Sequence, residues 1–96
     1  MMKLNKEYIK TTLDEEKLWK VGESDTFRHN DWTITLRKEE ENYAPFKFSV
    51  SGEKDNSLET WSRRYVSMES AFLHILNNFN ENRNIANKYE SISDWK

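Results

Sequence analysis

Residues 67–82 read S-M-E-S-A-F-L-H-I-L-N-N-F-N-E-N. Met68, Ala71, Phe72, Ile75, Leu76 and Phe79 recur at i, i+3, i+4, i+7, i+8 and i+11, which gathers them onto one stripe of an α-helix. The spacing predicts a helix over 67–82 with one buried face. Ser67 stands at its start, where a hydroxyl can accept from the backbone N–H near Ser70. Such a helix draws most of its stability from packing its apolar face. The rest of the chain must therefore supply a matching surface.

That surface is legible just upstream. Trp32, Ile34 and Leu36 alternate with Thr33, Thr35 and Arg37, a period of two in residues that favour strands. After the charged turn 38–42, Pro45 confines the start of the next strand, in which Phe46, Phe48 and Val50 alternate with Lys47, Ser49 and Ser51. Residues 51–57 read as a second turn and 58–66 as a third strand, so 31–66 forms an antiparallel meander. A one-sided sheet and an amphipathic helix bury each other's apolar faces. The expected fold is α+β: one small domain over 1–96, with a three- to four-stranded antiparallel sheet, the 67–82 helix across one face and short helical segments at the termini.

The two ends carry weaker patterns. Leu4, Tyr8, Ile9 and Leu13 fit one helical face, and Thr12-Leu13-Asp14-Glu15 has the form of a capping box. The reading starts a short helix at Leu13 that ends near Lys17, followed by a strand over 18–21 with Trp19 and Val21 on one side. Gly22 stops it. Residues 23–30 read as a polar connection interrupted by Phe27. At the other end Ile85, Ala86, Tyr89, Ile92 and Trp95 predict one or two helical turns, with a capping signal at Ser91 to Asp94 and Trp95 docked on the sheet.

Composition narrows the function class. The chain has 96 residues, enough for one domain, and its 35% apolar content is low beside 33% charged residues. Aromatic residues, at 14%, supply burial that aliphatic residues would give elsewhere. With no cysteine there is neither a disulfide framework nor a thiolate metal site. No run approaches a membrane span and the N-terminus lacks the apolar core of a signal peptide, so the expected location is the cytoplasm, away from membranes. Fifteen basic residues against 17 acidic ones give a net charge of −2, unlike the basic balance of a dedicated nucleic-acid binder.

Chemistry is sparse. His29, in Arg28-His29-Asn30-Asp31 with Asp25 nearby, offers imidazole and oxygen groups without any ligand spacing, and His74 falls on the polar side of the helix. Gly22 and Gly52 sit in no phosphate-loop or dinucleotide pattern, and no serine has a nucleophile-elbow setting. No catalytic, cofactor-binding or metal residue is assigned, no cofactor is expected, and the chain does not read as an enzyme.

The candidate binding residues are Trp61, Arg63, Arg64 and Tyr65, with Glu39, Glu40 and Glu41. Alternation places Arg63 between Trp61 and Tyr65 on one face, where a guanidinium can lie against rings. Turned away from the helix, that face is a binding surface of hot-spot residue types. Turned toward it, the rings complete the core and Arg63 stacks over them. The same residues could instead serve nucleic acid, bases stacking on the rings while Arg63 and Arg64 meet phosphates. Against that, Glu39, Glu40, Glu41, Glu53, Asp55 and Glu59 outweigh Lys47 and Lys54 over 39–59. This acidic stretch reads either as a solvated surface or as a lobe that fits a basic groove on a larger protein.

In size, composition and lack of catalytic motif the chain resembles small accessory proteins of phages and mobile elements, including anti-CRISPR-type inhibitors. No functional residue carries over from that resemblance. The expectation is a non-enzymatic protein-binding module that inhibits or modulates a larger protein, itself a candidate nucleic-acid-handling protein. The alternatives are a nucleic-acid-binding accessory protein and a structural homodimer paired through a sheet edge or the aromatic face.

Overall fold

Alternation decides which side of each strand is buried. In the computed structural model, which describes residues 2–40 and 45–79, Trp32, Ile34 and Leu36 are buried while Thr33, Thr35 and Arg37 are not. The elements run α1 (Lys6–Asp14), a 3-10 turn (Glu16–Leu18), β1 (Ser24–His29), β2 (Trp32–Lys38), β3 (Phe48–Lys54), β4 (Thr60–Tyr65) and α2 (Met68–Asn78). The strands form a four-stranded sheet in the order β1-β2-β3-β4, every pair antiparallel. The fold is α+β, with α2 across one face.

Register aligns the inner face in rows. Phe27, Ile34, Gly52 and Trp61 make one row; Asp25, Leu36, Val50 and Arg63 the next; Lys38, Phe48 and Tyr65 a third. Against these rows α2 lays Met68, Ala71, Phe72, Ile75 and Leu76, all fully or almost fully buried. Each large side chain so buried contributes about 1.5–3 kcal/mol relative to exposure. The outer face carries Thr26, Thr35, Ser51 and Ser62 in one row and Arg37, Ser49 and Arg64 in another, and no helix among the described residues covers it. The threonine hydroxyls of β1 and β2 meet at 3.0 Å.

Both ends of α2 are tied to distant parts of the chain. Ser67 Oγ accepts from the backbone N–H of Ser70 at 3.1 Å, and Glu16 Oε1 accepts from that of Met68 at 2.9 Å. A carboxylate at that end also complements the helix dipole. At the other end Asn30 Nδ2 donates to the carbonyl of Phe79 at 2.7 Å. Asn30 itself adopts φ 55°, a left-handed conformation that asparagine tolerates, and so closes the β1–β2 hairpin.

Several sequence expectations need correction. The first helix begins at Lys6 rather than Leu13, capped by Asn5, whose side chain accepts from Tyr8 N at 2.8 Å. Thr12, the expected cap, is a buried residue inside that helix. Residues 18–21 are not a strand: Trp19 is buried, but Leu18 and Val21 face solvent. The supposed connection over 23–30 is instead strand β1, whose Phe27 is fully buried. Gly52 lies inside β3 and not in a turn, while Leu58 is fully exposed in the β3–β4 connection and not part of β4. The helix ends at Asn78, and the expectations for 80–96 lie outside the described residues.

Candidate functional site on the edge strand β4

β4 is one margin of the sheet. Lys54 donates its N–H to the carbonyl of Glu59 at 3.1 Å, across the continuation of the β3–β4 ladder. In an antiparallel ladder such bonded pairs alternate, so Trp61, Arg63 and Tyr65 also turn their backbone groups toward β3. Thr60 and Ser62 turn theirs outward. The side chains follow the opposite division: Trp61, Arg63 and Tyr65 project onto the inner face beside α2, and Thr60, Ser62 and Arg64 onto the outer face.

The face that carries the two rings is therefore turned toward the helix. Trp61 stands edge-on to Phe79 with centroids 4.8 Å apart, and tilts over His74 at 5.1 Å. Tyr65 lies 5.4 Å from His74, 6.3 Å from Trp61, and is only 7% exposed. Trp61 is half-buried against the core. Arg63 remains exposed, its guanidinium carbon 6.0 Å from the Tyr65 centroid, at the outer limit of a cation–π contact. Burial pushes the Tyr65 hydroxyl up from its ordinary pKa, partly offset by Arg63, and that hydroxyl has no hydrogen-bond partner among the described residues. Burial, and then the charge of Arg63, hold His74 below the usual imidazole range.

Arg63 and Arg64 leave the strand on opposite faces, yet with Phe46 and Ser62 they line one open cleft along its flank. Phe46, which by alternation belongs to the second strand, precedes β3 and is 41% exposed. Arg64 lies directly opposite Ser49, whose hydroxyl donates to Glu39 Oε1 at 2.6 Å. The structure thus brings Glu39 to the same end of the sheet as Arg63, Arg64 and Phe46. Glu40 follows Glu39 there as an exposed residue, and Glu41 lies outside the described residues.

The acidic stretch 39–59 is not one lobe. Antiparallel connection sends Glu39 and Glu40 to one end of the sheet and Asp55 and Glu59 to the other, a strand length of roughly 20 Å away. At that far end Asp55 pairs with Arg28, and Lys54 lies 3.5 Å from Glu59 and 3.9 Å from Asp31. Arg28 and Lys54 thus offset part of the acidic charge at that end.

The other sequence candidates separate. Asp25 accepts from the Tyr8 hydroxyl, which burial and then the carboxylate hold above its ordinary pKa. His29 shares the inner side of β1 with Asp25, but Phe27 stands between them. The His29 ring is held below its usual range by burial, with Lys3 adding to the effect, and its Nε2 has no partner among the described residues. No three of the described His, Asp and Glu side chains converge as a metal site would require. No protein-family model, curated protein or solved structure matches the chain.

Proposed function

We propose that the chain is a non-enzymatic protein-binding module, an inhibitor or modulator of a larger protein, and that the flank of β4 is its contact surface. One observation carries this reading: Phe46, Ser62, Arg63 and Arg64 surround a single open cleft on a sheet margin. Arginine and aromatic side chains grouped in this way dominate the energetics of protein interfaces. Glu39, joined to the same end through Ser49, adds the opposite charge beside the arginines, which favours one orientation of a partner over others. A nucleic-acid surface on this strand would need open ring faces for bases to stack on. Tyr65 is buried, and Trp61 is engaged by Phe79 and His74, so a protein partner is favoured.

The test is affinity capture from a lysate of the source organism with the tagged chain and its Arg63→Glu variant, each with and without nuclease. The expected result is one protein at near-equal stoichiometry, indifferent to nuclease and lost with the variant, while the variant's stability from urea unfolding stays within about 0.5 kcal/mol of the parent's. Recovery of nucleic acid, or equal capture by the variant, overturns the reading.

A further inference from the structure

Resting on that reading, we propose that β4 takes its partner as an added antiparallel strand: an extended acidic segment with a carboxylate opposite Arg63 and, two residues later, an apolar side chain opposite Trp61.

The backbone sets the mode. Thr60 and Ser62 present outward N–H and C=O groups two residues apart, the repeat at which an incoming strand offers its own. No described residue bonds to them. The opposite margin of the sheet differs. There the outward groups of Arg28 are already engaged, its N–H with the carbonyl of Met2 at 2.8 Å and its carbonyl with Leu4 N at 2.7 Å. Strand addition at an open margin draws affinity from main-chain bonds and specificity from the side chains that alternate above them.

The side chains set the chemistry. On the α2 side an added strand passes Arg63 and Trp61 at alternate positions, with Ser62 between them on the other face. Arg63 is an exposed cation between the partly covered ring of Trp61 and the buried Tyr65, so it favours a carboxylate across from it and opposes a lysine or arginine. Trp61 continues into the apolar wall of Phe79, so an aliphatic side chain there extends the core. Running antiparallel, the partner reads carboxylate, any residue, apolar. A second copy of this chain fits less well: pairing about Ser62 sets Arg63 across from the other copy's Trp61, so neither position meets the carboxylate or the aliphatic side chain it favours.

The decisive measurement is amide hydrogen exchange, by NMR, on the ¹⁵N-labelled chain with the blocked peptide Thr-Val-Glu-Thr-Val-Thr at concentrations up to millimolar. The expected result is slowing of the Thr60 and Ser62 amides by roughly tenfold or more, with Trp61 and Arg63 unchanged because they already bond to β3. The same peptide with lysine for glutamate should give no protection. Binding without protection of those two amides overturns strand addition, equal binding of the lysine peptide overturns the charge rule, and protection in the peptide-free chain at high concentration identifies the occupant as a second copy. Failure of both peptides overturns the inference. The protein-binding reading falls separately, if capture recovers nucleic acid or does not depend on Arg63.

Discussion

A methyl group added at Gly52 tests how tightly the helix end is seated on the sheet. Gly52 is buried in the middle of β3, and a Cβ placed there stands 3.1 Å from Phe79 Cε1, 3.4 Å from Phe79 Cζ and 3.3 Å from Trp32 Cε3. Two terms oppose each other in Gly52→Ala. Removing a glycine from a strand interior stabilises by about 0.5–1 kcal/mol through the unfolded chain. Overpacking a filled core costs about 1–3 kcal/mol. The sign depends on whether the Phe79 ring can retreat by a few tenths of an ångström. Its centroid is 4.8 Å from both Trp32 and Trp61, nearly perpendicular to each, and its carbonyl is held by Asn30. Retreat is blocked, so Gly52→Ala should destabilise by about 1 kcal/mol and Gly52→Val by about 2 or more. Urea unfolding followed by tryptophan fluorescence reads this as a lower midpoint at unchanged slope. In a double-mutant cycle Phe79→Leu should relieve the clash, with a coupling of about 0.5–1 kcal/mol. An alanine variant as stable as the parent, or more so, would refute the claim that this glycine exists to admit the ring.

Two further outcomes follow from the buried groups. Phe72, fully buried and 6.0 Å from Phe27 between centroids, should cost about 3–5 kcal/mol on change to alanine, and an unmoved thermal or urea midpoint would remove it from the core. His29 and His74 are both held below the ordinary value of 6.5 in the folded chain, so the unfolded chain binds protons that the fold resists. Stability should therefore be full above that value, fall as pH drops through it, and level off below the folded pKa values. A His29→Gln/His74→Gln variant should flatten the profile between pH about 7.5 and 5.5, and an unchanged slope would sink this assignment.

The legible parts of the fold were those whose burial follows a single local period. β2 and α2 declare themselves because nearly every inward position is apolar, and Ser67 marks the helix start with its own hydroxyl. β1 did not, because its inward positions are Asp25, Phe27 and His29. Asp25 is bonded there by the Tyr8 hydroxyl, a partner 17 residues away that no local pattern reveals. In the sequence Thr12 has the form of a cap, yet Asn5 is the residue that caps the first helix, accepting from Tyr8 N. Tyr8 is fixed by packing on Phe27 and Phe72, again a tertiary fact. Gly52 followed Ser51 into a polar stretch and looked like a turn, whereas a close approach by Phe79 requires it. On β4 the alternation correctly put Trp61, Arg63 and Tyr65 together. Which side of the sheet they occupy was open, since the arginine breaks the apolar run that marks an inner face elsewhere.

That inner row of Asp25, Leu36, Val50 and Arg63 has a consequence for how the protein behaves when crowded. Residues 32–36 are aromatic, aliphatic and threonine-rich, the composition from which cross-β fibrils nucleate. They lie in β2, with β1 and β3 on either side, and the row through Leu36 ends in a polar side chain at each outer strand, Asp25 on β1 and Arg63 on β4. A flat apolar strand stacking on either margin would have to desolvate the Asp25 carboxyl on one side or the Arg63 guanidinium on the other. Indiscriminate growth of the sheet is thereby made unfavourable from both sides, and concentrated solutions of the folded chain should remain free of fibres while partly unfolded chains, with β2 uncovered, would not.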